Sequence, residues 1–519
     1  MMDYSRRSFL TTLGTSTFLL GVPSAWGASA RRFQVVVYGA SFSGLFAAYA
    51  AAREGMKVAL VAGPTATGGV TANGLGHSDV THSKSLEDNK LGGLTARFYK
   101  AMGKVYGKPY SYQFEPHAAL KFFLDVLDES NVPFFQREFD ERRPLLKEGT
   151  AIKSLFLEDG TQIDGDVFID CTYEGDLMAA AGVLFEVGRD SRKKFGESMA
   201  GFGVAQRVVS KIKARDSSGR LIPLIKPYPK RLAVGDADAG VMSYSYRTCL
   251  TNDPHDRIRF KKPPRYNADW YLLDLQRAIS REGFHAGTTL AGTKKVDRNN
   301  DEPVGENWGY TLANRAQRKA ITDFHKTYAA GRLYFYGNDP RVPKYFRDSI
   351  NEWGLASSEF EHSGNWPRQM YIRESRRLWG MYKLKQQDLN AGAVFSDAML
   401  SWSYGIDGHS VQYLEGPNGE MIIEGARISD VEGYKSIKRY QVPMRAFLPD
   451  KNHCTNLIVP VCASVSRIAN CSYRMEPAYM KAGEAAGIIA ARAVQGKSTV
   501  QRVDASGVRS RLLNWGAII

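Results

Sequence analysis

Residues Phe33 to Gly76 constrain this chain more than any other stretch, because they set strand, glycine turn, helix, second strand and glycine-rich loop in one unbroken order. Gln34-Val35-Val36-Val37-Tyr38 is a short, uncharged, β-branched run suited to a strand buried in a parallel sheet. Gly39-Ala40-Ser41-Phe42-Ser43-Gly44 follows at once. Its small residues let backbone amides approach a diphosphate, and the next helix turns its positive end toward the anion. That helix, Ser43 to Glu54, is rich in alanine and stops at Gly55, a natural left-handed cap. Val58-Ala59-Leu60-Val61 is the second strand. Two departures from the usual dinucleotide fingerprint stand out. Ser41 occupies the middle glycine position, and the acidic residue that normally ends the second strand to hold the adenosine ribose is missing, since the chain continues Ala62-Gly63-Pro64. A buried strand followed by a helix would satisfy the glycines alone. The ordered context and a second loop, Gly68-Gly69-Val70-Thr71-Ala72-Asn73-Gly74-Leu75-Gly76, point instead to a dinucleotide cradle. The expected contacts are Gly39, Ala40, Ser41, Ser43 and Gly44 in the turn, and Gly68, Gly69, Asn73 and Gly74 in the loop.

Gly68-Gly69 followed by Gly74-Leu75-Gly76 resembles the loop after the second strand in bacterial FAD-dependent oxidoreductases of the glutathione-reductase-like superfamily, the group that also holds fumarate reductases. The resemblance recurs at Phe168-Ile169-Asp170-Cys171-Thr172-Tyr173-Glu174-Gly175-Asp176-Leu177, at Gly364-Asn365-Trp366-Pro367, from Arg373 to Arg377 and at Tyr473-Arg474-Met475-Glu476-Pro477. It implies an α/β protein in which a Rossmann-like FAD-binding domain of glutathione-reductase type is interleaved with an α+β substrate domain. It also implies FAD as cofactor, with Thr172 near the dinucleotide. The helix entered through Arg474 and Glu476 would then aim its amino end at the pyrimidine side of the flavin, where Arg474 would stabilise the charge of the reduced ring. A surface arginine beside a helix start is the alternative.

The ends and the composition set further bounds. Ser5-Arg6-Arg7-Ser8-Phe9-Leu10, an apolar stretch and Ala28-Ser29-Ala30 read as a twin-arginine export signal over residues 1–30, so the twin-arginine translocase is an expected partner and the periplasm the expected location. No later apolar run is long enough to span a bilayer. The 519 residues, 43% hydrophobic and 24% charged, suffice for two joined domains. The net charge of +15 is spread along the chain, which argues for solubility and attraction of anionic surfaces rather than nucleic-acid binding. Five cysteines without C-x-x-C or metal-ligand spacing read as buried small hydrophobes, and no metal site is expected.

Along the chain, residues 31–187 read as the first part of the FAD-binding domain, 188–438 as the substrate domain, 439–500 as the closing part and 501–519 as a tail. Helices are expected from Leu94, from Phe114 toward Asp128, and from Ala478 to Ala493. Ile152 to Leu157 and Gln162 to Ile169 read as a hairpin about Glu158-Asp159-Gly160. Gln441 to Arg445 and Asn456 to Val461 read as closing strands. Asp170, Glu174 and Asp176 suit helix capping as well as cofactor contact.

Hydride transfer to a flavin needs a base for the substrate's hydroxyl or amine proton. His409, in Ile406-Asp407-Gly408-His409-Ser410, is the first choice and His77 the second; a loop histidine held by backbone is the alternative. Asp407 is too near in sequence to be assumed its partner. Arg373 and Arg377, four apart on an expected helix, could clamp an anionic group or simply face solvent. The absence of a second dinucleotide fingerprint argues against reduction by NAD(P)H within this chain, and no cysteine pair matches a redox-active disulfide. The expected activity is two-electron oxidation of a small polar compound such as an alcohol or sugar, with electrons passed to oxygen or an external acceptor. A reductase of activated double bonds and a non-catalytic flavin-binding protein are the rivals.

Overall fold

The computed structural model describes residues 30–80, 90–280, 283–290, 292–426 and 437–519. The expected export signal therefore lies, but for Ala30, outside the described residues. β1 (Val35–Tyr38), α1 (Phe42–Arg53) and β2 (Val58–Val61) form in the order read from the sequence. α2 (Gly93–Val105) and α3 (Pro116–Ser130) follow, then β3 (Phe134–Phe135) and β4 (Val167–Asp170). Much later β5 (Leu457–Ile458) and α4 (Glu476–Gln495) return to the same layer.

These strands make one parallel sheet in the order β5-β4-β1-β2-β3. Val35 pairs with both Val58 and Val167, Leu60 with Phe134, and Leu457 with Phe168. Every residue of β1, β2 and β4 is buried, as expected of strands covered on both faces. One face is covered by α1 and α4, which run parallel and very close. A side chain at Gly483 would overlap the Ser43 carbonyl, and one at Gly487 the Ala47 carbonyl. The alanines of α1 thus serve helix-on-helix approach as much as packing on the sheet.

Three expectations about elements are corrected. The run from Gln162 to Ile169 is not one strand. Gln162–Asp164 closes the hairpin on Ala151–Phe156, but the chain turns at Gly165 and β4 joins the parallel sheet. Gly165 is needed there because a Cβ would come 2.8 Å from Phe168 and Val36. Tyr440–Pro443 pairs antiparallel with Ala398–Trp402, outside the parallel sheet, so only the second closing strand reaches the cofactor domain. Arg373 to Arg376 is not helical; it is an irregular stretch leading into the two-residue strand Arg377–Leu378.

The middle of the chain builds two antiparallel-rich sheets, of four and five strands, and the 24-residue helix Arg315–Asn338. The helix starts on a reciprocal cap between Asn314 and Gln317. The tail carries its own helix, Ala505–Asn514, with Asp504 as its cap. All five cysteines are buried and unpaired. Among the described residues no helix is long and apolar enough to cross a membrane.

Candidate active site

The turn between β1 and α1 is built for close approach. Gly39 has φ of +108°, and a Cβ there would come 2.6 Å from the Cys171 carbonyl carbon and 2.7 Å from the Thr172 amide. A Cβ on Gly44 would overlap the Gly39 carbonyl. Ser41 caps α1 by accepting from the Gly44 amide at 3.3 Å, and donates to the Cys171 carbonyl at 2.9 Å. The serine in the middle glycine position therefore ties the turn to the loop after β4. The Ala40 carbonyl accepts from the Gly68 amide, drawing in the second loop, and the Ser43 hydroxyl lies 3.8 Å from the Cys171 thiol. The amides of the first turn of α1 have no carbonyl four residues back, so the helix offers them at its mouth.

The glycine loop is pinned from within. Asn73 donates to the Thr67 carbonyl at 3.1 Å and the Gly69 carbonyl at 2.7 Å, while its own side-chain oxygen accepts from Arg368 at 3.2 Å. Gly69 leaves room for the Tyr173 hydroxyl, and Gly74 for the Arg247 carbonyl. Thr172 donates to Asp170 at 2.6 Å and accepts from the Gly175 amide at 2.9 Å. Asp170 also accepts from the Met178 amide, so it caps, and burial pushes its carboxyl up to about 6. Asp176 is held by Arg318 and Arg376. Tyr38, Gly39, Ala62, Thr172, Tyr310 and Arg368 border a crevice of about 930 Å³ at the carboxyl ends of the parallel strands.

α4 closes the other end. Gly483 lies beside Ser43, so Glu476, seven residues earlier, starts about 10 Å beyond the mouth of α1 along the same direction. Glu476 accepts from the Thr71 hydroxyl at 2.7 Å and the Tyr173 hydroxyl at 2.8 Å, and Tyr173 in turn accepts from the Val70 amide at 3.1 Å. Both carboxylate oxygens are thus used to lock α4 onto the glycine loop, and burial pushes this carboxyl up to about 7. Gly39 borders the large crevice and Arg474 does not; the two are linked through the glycine loop by the contacts of Glu476 with Thr71 and Tyr173.

A second cavity, of about 250 Å³, lies on the far side of residues 370–372. Met370 and Ile372 border the large crevice, while Tyr371 borders the small one with His77, Asp79, Arg247, Asp407 and His409. Arg474 donates to the Tyr371 hydroxyl at 2.9 Å and to the Asp407 carboxylate at 2.8 Å, and His409 Nε2 lies 3.4 Å from that carboxylate. His409 and Asp407 are partners after all, because the loop bends sharply enough to bring residues two apart together.

The sequence pattern of the FAD dependent oxidoreductase family matches residues 34–512. The chain belongs to this family. No curated protein matches. Partial matches to solved structures include L-proline dehydrogenase from P. horikoshii, at 13% identity over 31% of this chain and 59% of that one with a TM-score of 0.25. Another is T. acidophilum thioredoxin reductase, at 20% identity over 27% and 35% with a TM-score of 0.18. The shared segments span less than two thirds of those proteins and fix neither substrate nor acceptor. FAD fits the residues present. The turn at Gly39 and Gly44 has backbone packed too closely to admit side chains, as a diphosphate cradle requires, and the crevice that Gly39 borders, about 930 Å³, has room for a dinucleotide.

In this FAD-dependent oxidoreductase the small cavity is polar, and its lining is richer in aspartate than in arginine. Asp79, Asp297, Asp407 and Arg247 border it, Arg247 pairing with Asp297, while Arg474 and Arg373 stand behind the lining on Asp407 and Asn299. Burial, reinforced by Arg373, drives the His409 imidazole down to about 4 against the opposing pull of Asp407, so the ring is neutral at physiological pH. Burial opposes ionisation of Asp407, but its interaction with His409, backed by the charges of Arg474 and Arg373, holds the carboxyl well below its usual range. Tyr404 donates to Asp79 at 3.2 Å, and burial raises the Asp79 carboxyl.

The two arginines expected to act together are separated. Arg373 donates to the Ser243 carbonyl, to the Ser245 hydroxyl at 3.0 Å and to Asn299 at 2.6 Å, and among the described residues it meets no carboxylate at ion-pair distance. Burial lowers its pKa. Arg377 instead points away from the cavity, to Asp190 at 3.0 Å, Glu374 at 3.3 Å and the Gly188 carbonyl. Its role is structural. Arg377→Met is expected to cost roughly 3 kcal/mol, read by chemical denaturation, because it takes a buried guanidinium away from two buried carboxylates. Asp79, Arg368, Tyr371 and Asn299 border or brace these cavities and were not singled out by sequence reasoning. Arg368 adjoins the Gly364 to Pro367 block and was the one within reach of it.

Proposed function

We propose that the enzyme oxidises a small polar organic molecule, an alcohol or sugar-like compound, by two electrons and passes them to oxygen or an external acceptor. Bound FAD supplies the two-electron acceptor. The observation that carries the reading is the Arg474–Asp407–His409 chain bordering a small polar cavity. With Nε2 donating to Asp407, His409 presents Nδ1 as a lone-pair nitrogen. It would take the hydroxyl proton as the substrate carbon gives up hydride, leaving a carbonyl, and Asp407 would steady the imidazolium that forms. Arg474, at the start of α4, would place positive charge at the pyrimidine end of the ring. Gly39, Ala40, Ser41, Ser43 and Gly44 would hold the diphosphate, with Gly68, Gly69, Asn73, Gly74 and Thr172 shaping the channel beyond. Glu476 would act by bracing α4 rather than by touching the cofactor.

One observation favours the reverse reaction, reduction of an activated double bond. Arg373 is a buried guanidinium without a carboxylate partner among the described residues, a group able to bind a substrate carboxylate and deliver a proton. Anaerobic turnover of the holoenzyme decides between the two. Polyols and hydroxy acids with a dye acceptor should be turned over, and fumarate-like alkenes with a reduced dye should not. Turnover confined to the alkenes would reverse the assignment.

A further inference from the structure

β2 ends at Val61 and runs into Ala62 and Gly63, where a dinucleotide cradle ordinarily places the carboxylate that accepts from the adenosine ribose. The neighbouring strand supplies one. β3 pairs with β2 through Leu60 and Val61, and three residues past β3 the Glu138 side chain folds back over the end of β2. A Cβ placed on Gly63 would overlap the Glu138 carboxylate. The position at the strand end is therefore filled by a carboxylate that belongs to another residue, and Gly63 is the gap that admits it. Tyr38, the last residue of β1, fixes its direction by donating to Glu138 Oε2 at 2.9 Å. Among the described residues the other oxygen, Oε1, has no hydrogen-bond or ion-pair partner. Tyr38, Ala62, Gly63 and Glu138 all border the large crevice. A half-buried carboxylate with one oxygen committed and the other unpaired beside Gly63, on the border of a crevice with room for a dinucleotide, is suited to accept from a vicinal diol.

We propose that Glu138 is the adenosine-ribose clamp of this enzyme, replacing the carboxylate missing from the end of β2 and accepting from the ribose hydroxyls of FAD. The proposal concerns cofactor recognition and is independent of which substrate is oxidised.

The test is equilibrium binding to apoprotein prepared from the purified holoenzyme, followed by quenching of flavin fluorescence, with ADP and 2′-deoxy-ADP as competitors. Wild-type protein should bind ADP about tenfold tighter than 2′-deoxy-ADP. Glu138→Gln should weaken FAD by about 10- to 100-fold and bind the two competitors equally. FMN, which lacks the adenosine, should bind both proteins alike. The double variant Ala62→Glu with Glu138→Ala, which returns a carboxylate to the usual strand end, should recover both FAD affinity and ribose discrimination. A Glu138→Gln protein that binds FAD within twofold of wild type and still prefers ADP overturns the proposal. Should that variant fail to fold by circular dichroism, the wild-type comparison decides alone, and equal competition by ADP and 2′-deoxy-ADP overturns it.

Discussion

Gly39→Ala is expected to yield protein that purifies without flavin and is less stable by about 3 to 5 kcal/mol. Two costs combine. The residue sits at φ +108°, where an L side chain is strained, and the added methyl meets backbone of the loop after β4 rather than a side chain that could turn away. Neither strand can retreat, because β1 and β4 are paired along their full lengths from Val35–Val167 to Tyr38–Asp170. Relief must come from opening the turn itself, which spoils the amide array at the mouth of α1. Visible absorbance of the purified protein and its unfolding midpoint in denaturant report the two effects separately. A yellow Gly39→Ala protein of wild-type stability would show that the turn does not face the cofactor.

The second large effect is expected at His409. His409→Ala should lower kcat by about 100- to 10,000-fold while flavin remains bound. Its signature is in the pH profile. A base must be unprotonated, and burial with the Arg373 charge holds this imidazole down to about 4 rather than near the ordinary histidine value. The acid limb of kcat/KM should accordingly be absent between pH 7 and 5 and fall off only near pH 4, provided the protein stays folded. Removing the neighbouring cation by Arg373→Met should move that limb upward, toward neutrality. A limb near pH 6.5 in the wild type, or undiminished turnover in His409→Ala, would take the proton-transfer role away from this residue.

The cradle was readable in advance because its determinants are local. A β-branched run, glycines where backbones touch and an alanine helix with a glycine stop lie within some forty residues. The long α4 was readable for the same reason. Arg373 to Arg377 misled because the four-residue spacing suits a helix, whereas the backbone there is held by partners far away in sequence. Arg373 reaches Ser243 and Asn299, Arg376 reaches Asp176, and Arg377 reaches Asp190. No periodicity encodes such contacts. The Asp407–His409 pairing was missed because adjacency in a loop says nothing about side-chain direction until the backbone is known. Glu138 was invisible for a third reason: it follows a different strand from the one whose carboxylate is missing, and only the register of β3 against β2 brings the two together.

The close seating of Gly483 and Gly487 on α1 has a consequence for biosynthesis. The helix that bears the cradle is backed by one from the opposite extreme of the polypeptide, so no amino-terminal fragment can complete this layer, however well its own strands form. Ligand capture must wait until translation has delivered nearly the whole chain. A nascent polypeptide stalled before residue 476 should neither retain flavin nor resist protease in its first hundred residues, and both properties should arise together when the last helices are released.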